Sequence, residues 1–351
     1  MLGEIMRPRL ANLDLVLPYL EAMLAAGRFA SGGPLAMELE RRHAARLGVD
    51  ASQVVAVSSA TAGLTGALSV SPVSRWSVPA FTFAATAHAV VASGGALDIQ
   101  DVDPVSWELS PQSAPTGMVR VLPFGRGFSI SDWPGGGEVV VDAAASLGAA
   151  SIDLGDLPRT WSVVFSLQAT KVMPCGEGGI VVCGDRARAQ EIRQWAHFRL
   201  DATRSATGPG TNALMPETAA AFGLAALDEW PTAQGEWRAA RTLTDRATSD
   251  LGLLGAPSEG ADAHPYWIVR FPSSQARARA EEMLIGAGIA SRRWWGPGLH
   301  RMPAFEMAAA GEYPVTDNLA ATTLGLPFWR GLTSIQVAAI SSVLASTLGP
   351  P

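Results

Sequence analysis

Lysine is nearly absent from this chain of 351 residues: the 26 Lys and Arg positions are 25 arginines and a single lysine, Lys171. Arginine replaces lysine wherever only a surface charge is needed. It does not replace a primary amine that must shed a proton and attack a carbonyl, because guanidinium stays protonated and is a poor nucleophile. By count alone Lys171 is as readily a chance survivor of this bias as a nucleophile, so its surroundings must decide. Cysteine is also scarce. Cys175 and Cys183 are too few for a disulfide framework and lack zinc spacing, so they read as small buried hydrophobes in a reducing, cytoplasmic setting. None of the five histidines has metal-ligand spacing. A net charge of −6 without any basic run argues against nucleic acid or anionic membrane as the main partner. No apolar run is long enough to span a bilayer. Asp14 and Glu21, following Met6-Arg7-Pro8-Arg9, interrupt any secretory apolar region.

With 48% hydrophobic and 17% charged residues, the chain has the composition of globular protein and the length of about two domains. Short apolar runs alternate with helical patterns over the first two thirds. Strands are expected at 54–57, 76–79, 96–100, 118–123, 138–141, 161–166 and 179–183, with helices at 60–69 and 84–91. Strands this short and uniformly apolar, separated by helices, require a mainly parallel sheet covered on both faces, hence an α/β fold. From about Pro216 the pattern changes to helices at 219–230 and 235–250. A strand at 266–271 and helices at 276–288 and 334–348 then give a smaller α+β domain. The expected division is 1–235 and 236–351, with 255–264, rich in Gly, Pro, Ser and Ala, as the flexible stretch.

Four groups gather at the expected strand ends. Lys171 leaves the apolar strand ending at Ser166 on a short turn, and Gly176-Glu177-Gly178-Gly179 turns the chain back into the next strand. Asp142 closes Val139-Val140-Val141; it is either a helix cap or a buried carboxylate that needs a cationic partner. Ser58-Ser59-Ala60-Thr61 ends one strand and opens a helix, presenting hydroxyls and free amides to an anion. Pro79-Ala80-Phe81-Thr82-Phe83 follows another strand and offers a flat ring. An amine for an aldehyde, a carboxylate for a pyridine nitrogen, donors for a phosphate and an aromatic wall together meet the demands of pyridoxal 5′-phosphate (PLP).

Nearly the whole chain resembles the DegT/StrS-type sugar-nucleotide aminotransferases, members of fold type I of the PLP enzymes. The resemblance runs in order through Gly32-Gly33-Pro34, Ser59-Ala60-Thr61-Ala62-Gly63-Leu64, Val78-Pro79-Ala80-Phe81-Thr82-Phe83 and Asp101-Val102-Asp103-Pro104. It continues through Asp142-Ala143-Ala144, Ser166 to Lys171 with Gly176-Glu177-Gly178-Gly179, Gly210-Thr211-Asn212, Gly298-Leu299-His300 and Leu326-Pro327. It implies that Lys171 bonds the cofactor, Asp142 faces the pyridine nitrogen and Phe83 stacks on the ring. Ala60, Thr61 and Ser166 would hold the phosphate, with Asn212 reaching the site of a neighbouring subunit in a homodimer. The implied reaction moves an amino group from an amino acid, glutamate in this reading, to a nucleoside-diphosphate-linked keto-sugar such as a 4-keto-6-deoxyhexose.

Four positions depart from the family pattern: Ala60 replaces a Gly, Ala145 a frequent Gln, Gln168 a frequent His, and Leu214 a frequent Arg or Lys. Arg292-Arg293-Trp294-Trp295, with His300 and Arg301, is the one dense cationic and aromatic cluster. Arg292, Arg293 and His300 are candidates for gripping a substrate diphosphate, although the cluster reads equally as a domain interface. Two alternatives accompany the transaminase: a PLP-dependent sugar dehydratase, disfavoured because those of similar fold carry His at the lysine position, and a non-catalytic relative that retains PLP.

Overall fold

The computed structural model describes residues 2–109, 117–133, 136–258 and 262–348. The elements of its first part are α1 (Leu13–Ala26), α2 (Pro34–Leu47), β1 (Val54–Val57), α3 (Ala60–Ser69), β2 (Arg75–Pro79), α4 (Ala84–Ala92), β3 (Ala96–Gln100) and β4 (Gly117–Val121). They continue with β5 (Phe128–Ser129), β6 (Glu138–Asp142), β7 (Ile152–Asp153), β8 (Trp161–Ser166), β9 (Gly179–Cys183) and α5 (Arg186–Trp195). The long α6 (Glu217–Asp250) leads to β10 (Leu254–Gly255), β11 (Trp267–Arg270), α7 (Ser274–Gly286), α8 (Pro314–Thr322), β12 (Thr323–Leu326) and α9 (Ser334–Leu348). Seven strands form one sheet in the order β1-β9-β8-β6-β4-β2-β3, parallel except for β9, which runs against both neighbours. β10, β11 and β12 form an antiparallel sheet in the C-terminal part.

The expected α/β architecture is present, and its cause is the burial of the strands on both faces. Every residue of β1, β4, β8 and β9 is buried. Trp161 and Phe165 are wholly enclosed on β8; truncating either to Ala would cost about 3–5 kcal/mol. Strands that carry no polar face need helices on each side. Parallel strands so covered place their carboxyl ends along one edge, where loops are free to build a site.

Two buried carboxylates fasten α2, one to α6 and the other to β1 and α5. Glu217, at the start of α6, accepts the Leu35 N–H at 2.8 Å and the Ala36 N–H at 2.9 Å, satisfying the open end of α2. Gly33 makes this possible, since a Cβ there would lie 2.6 Å from the Glu217 carboxyl carbon. Glu40 accepts the Ala56 N–H of β1 and both terminal nitrogens of Arg193. Arg193 is partly exposed, so the larger loss on removing Glu40 is the unsatisfied Ala56 N–H, about 1–3 kcal/mol.

The structure joins into one 34-residue α6 the two helices expected at 219–230 and 235–250, with Pro231 inside it. Trp230, Ala233, Trp237 and Ala240 bury one stripe across the proline, and that packing outweighs the roughly 3 kcal/mol that an internal proline costs. The proposed division at 235–236 therefore falls within a helix. The chain's beginning also lies against the C-terminal part: Ala290 N–H donates to Leu2 O and Phe328 N–H to Ile5 O. Part of the expected flexible stretch, 259–261, lies outside the described residues. Both cysteines are buried free thiols, pushed by burial to about 12. Among the described residues no helix is long and apolar enough to cross a membrane, and no group of three or more His, Cys, Asp or Glu is arranged to hold a metal.

Candidate active site

A cavity of about 430 Å³ opens along the carboxyl edge of the large sheet. Ser59, Ala60 and Thr61 reach it from the turn after β1, Thr82 and Phe83 from the loop after β2, and Asp142 and Ser166 from the ends of β6 and β8. Lys171 lines the same cavity, so the chain's only lysine and the buried carboxylate of Asp142 share one site.

A network of its own holds Asp142. Its Oδ2 accepts the Thr86 hydroxyl at 2.7 Å, its Oδ1 accepts the Ala144 N–H at 3.2 Å, and Thr86 in turn lies 3.1 Å from the Thr82 hydroxyl. Burial raises the carboxyl above its ordinary value, opposed by the Thr86 hydroxyl, the Ala144 amide and the Lys171 charge. An enclosed carboxylate held in this way gains from a cationic N–H placed before it. The next element after β6 is β7, with turns between them, so Asp142 caps no helix, the alternative its sequence position allowed.

The anion end is built by α3. Ser59 caps the helix through its Oγ, which accepts the Ala62 N–H at 3.1 Å. The amides of Ala60 and Thr61, in the first turn, have no acceptor within the helix and carry its positive end. Gly179 lets β9 come against this turn, because a Cβ at that position would sit 2.8 Å from the Ala60 nitrogen. Ser166 adds a hydroxyl from β8. Phe83, just ahead of α4, lines the cavity and is 60% exposed, so most of its ring is left uncovered by the described residues.

The loop carrying Lys171 is fixed by Gln168, whose Oε1 accepts the Thr170 N–H at 2.9 Å and the Thr170 hydroxyl at 2.5 Å. Its backbone carbonyl accepts the Lys171 N–H at 2.8 Å. This departure from the family pattern therefore shapes the lysine turn. Leu214 is likewise structural, buried in the apolar cluster beside Val57, to which its backbone is bridged. Ala145 lines the cavity without a polar group.

The opposite wall comes from the C-terminal part and is aromatic. Tyr266, Trp294 and Trp295 line it there and pack with Phe124, from the loop after β4, into one aromatic cluster. Phe124 and Trp295 stack at 4.4 Å and 11°, and both adopt left-handed backbone, with φ of 54° and 65°. Bulky residues held there cost about 1–3 kcal/mol each, strain that clusters at binding sites. Gly325 on β12 makes room for Trp294, since a Cβ would collide with the indole. Neither Tyr266 nor Met6, which also lines the cavity, was marked by the sequence. The only signal for Tyr266 was its place at the start of an expected strand.

The three substrate-site candidates separate. Arg292 lines the cavity, its guanidinium 4.7 Å from the Trp294 ring centre and without a carboxylate partner among the described residues. Arg293 is paired with Glu281 at 2.5 Å. His300 bonds Asp317 at 2.9 Å and stacks on Tyr313. Neither Arg293 nor His300 lines the cavity. Asn212 does not line it either; it is exposed, on a segment bridged to His197.

Buried carboxylate, lone amine, open helix end and uncovered ring are together a donor set that fits PLP. The sequence matches the DegT/DnrJ/EryC1/StrS aminotransferase family over residues 14–117 and 136–345. The chain belongs to that family. It is 26% identical over 91% of its length to the dTDP-4-dehydro-2,3,6-trideoxy-D-glucose 4-aminotransferase of Saccharopolyspora spinosa, of which 91% is covered. Its structure superposes on DesI, solved in the presence of its TDP-sugar product, with a TM-score of 0.87 and 29% identity, covering 99% of this chain and 92% of the other. A DegT DnrJ EryC1 StrS aminotransferase from Brucella abortus shares the fold at 23% identity, with a TM-score of 0.82 over 96% of both chains. The chain is therefore a PLP-dependent aminotransferase of fold type I.

Proposed function

We propose that this aminotransferase moves the amino group of an amino acid, glutamate in our reading, to a keto-sugar linked to a nucleoside diphosphate, a 4-keto-6-deoxyhexose above all. The observation that carries the reading is the convergence of the chain's single lysine with buried Asp142 in one cavity whose far wall is aromatic and cationic. The relatives named for dTDP- and TDP-linked sugars support the substrate class.

Bound in the cavity, PLP supplies an electron sink for the carbon that loses its proton. Asp142 would keep the pyridine nitrogen protonated, its two oxygens already oriented by Thr86 and Ala144. The Ala60 and Thr61 amides, with the Thr61 and Ser166 hydroxyls, would hold the phosphate, and Phe83 would cover one ring face. Lys171 Nζ would take a proton from the donor's α-carbon as base and give it up again as acid within the same half of the reaction, and would move a proton the opposite way in the second half. Arg292, over Trp294, offers a charged donor to the substrate's diphosphate. The outward placement of Asn212 suits a residue that completes the site of a second copy in a C2 homodimer. Arg293 and His300 stay outside this assignment because their contacts with Glu281 and Asp317 occupy them elsewhere.

The test is a panel of keto-sugar nucleotides incubated with enzyme, PLP and either glutamate or another amino acid, with products read by mass and NMR. An amino-sugar nucleotide formed with glutamate supports the proposal. Loss of a sugar hydroxyl without nitrogen gain would instead mark a dehydratase. No product from any pair, and no spectral change on adding glutamate, would favour a non-catalytic PLP protein.

A further inference from the structure

Tyr266 stands outside every role assigned above. It lies immediately before β11, in the C-terminal part, whereas Lys171 follows β8 of the large sheet. The two meet across the cavity: Lys171 Nζ donates to the Tyr266 hydroxyl at 2.7 Å and sits 5.3 Å from the ring centre. The ring is buried and clamped edge-on by Phe124 at 5.7 Å and by Trp294 at 4.9 Å. A hydroxyl on a buried, clamped ring has few directions to turn and needs a partner. Among the described residues the only partner of this hydroxyl is the lysine amine.

Resting on the reading of Lys171 as the cofactor-bonding amine, we infer that Tyr266 is a positioning residue that holds the Lys171 amine whenever it is free. The chemistry requires such a group. During each half of the reaction the lysine is released and must carry a proton between fixed points, yet it is a flexible four-carbon chain in a roomy cavity. A mobile base forfeits the advantage of proximity, where a displacement of about 1 Å costs about a hundredfold. The Tyr266 hydroxyl limits that motion. Because it belongs to the C-terminal part, the arrangement also makes lysine placement depend on how that part sits against the large sheet.

The test exploits the single lysine. Tyr266→Phe removes the hydroxyl and keeps the ring between Phe124 and Trp294. In cofactor-free protein, acetylation by an N-hydroxysuccinimide ester is followed by mass on the Lys171 peptide, with the N-terminal amine as internal control. We expect the variant to be modified roughly threefold faster or more. In the loaded enzyme, kcat should fall about tenfold or more while KM for the nucleotide sugar stays within about twofold. Borohydride treatment should fix PLP to Lys171 in both proteins. Equal acetylation rates with adducts on both would overturn the inference alone, whereas no adduct in the wild type would overturn the functional reading and the inference with it. A second measurement covers a variant that folds poorly. Incorporated 3-fluorotyrosine reports three tyrosines, two of them assigned through Tyr19→Phe and Tyr313→Phe. The Tyr266 fluorine signal should move on Lys171→Ala while the other two stay; an unmoved Tyr266 signal overturns the contact.

Discussion

The proposed cofactor end of the cavity and its proposed substrate wall are built differently. At the cofactor end every group sits within a few residues of a strand's carboxyl end in one sheet: Ser59 to Thr61 after β1, Asp142 on β6, Ser166 on β8 and Lys171 just beyond. The substrate wall gathers Met6, Phe124, Tyr266, Arg292, Trp294 and Trp295 from loops far apart in the chain, two of them in strained backbone. The groups of the first region are prescribed by the chemistry proposed for them. The second depends on the placement of the C-terminal part, and, apart from Tyr266, which reaches the Lys171 amine, it is where we propose that substrate preference varies.

Substitutions at the two ends should separate in their kinetics. Asp142→Asn should lower turnover about 10²- to 10³-fold for every sugar tested, with PLP affinity changed much less because the phosphate donors and Phe83 remain. The same variant carries a stability signature. Burial raises the Asp142 carboxyl in the folded, cofactor-free protein, so its contribution is full at low pH and is lost as pH rises through the raised value. Asp142→Asn should abolish that loss, seen as an apo unfolding midpoint that no longer declines over this range. Near wild-type turnover would remove Asp142 from its role.

A second substitution asks whether the cofactor end belongs to one chain. Inactive Lys171→Ala mixed with inactive Asn212→Ala should regain roughly a quarter of wild-type activity, since half of the dimers are hybrids with one intact site. No recovery after exchange is verified by mass, or an active monomer, would confine the site to a single chain. At the substrate wall, Arg292→Ala should raise KM for the nucleotide sugar about tenfold and leave kcat within about threefold. An equal loss in kcat would move Arg292 into the chemical step and blur the distinction between the two ends.

His43, on α2 and away from both regions, provides the smallest effect and a reference. It is wholly buried, neither ring nitrogen has a hydrogen-bond partner among the described residues, and burial, followed by the charges of Arg46 and Arg42, lowers it to about 3. The unfolded chain therefore takes the proton first. Stability is full above about 6.5 and declines as pH falls toward 3. His43→Leu should remove this part of the acid sensitivity and raise stability by about 1–3 kcal/mol, with turnover unchanged. Unchanged acid unfolding would show that the histidine is not held neutral.

These differences also decide what the sequence made legible. Val54 to Val57, Trp161 to Ser166 and Gly179 to Cys183 announced themselves as strands because they are buried on both faces. Lys171 and Asp142 were legible because each interrupts or follows such a run with a group that is costly to bury. The fusion of two expected helices into α6 was not legible, since Pro231 is a local signal and the packing of Trp230 and Trp237 that overrides it is tertiary. Tyr266 was hidden for the same reason: its partner lies 95 positions away. Arg292, Arg293 and His300 looked alike in sequence, and only the positions of Glu281 and Asp317 separated the cation that faces the cavity from the two groups engaged elsewhere.

The central claim is that one amine, Lys171, bonds the cofactor opposite Asp142. Borohydride reduction of the PLP-loaded protein, followed by peptide mass analysis, tests it without competition from any other side-chain amine. The account predicts a single reduced adduct on the Lys171 peptide, absent from Lys171→Arg, whose turnover falls about a thousandfold or more. An active enzyme with its adduct at the N-terminus, or with none, would contradict it.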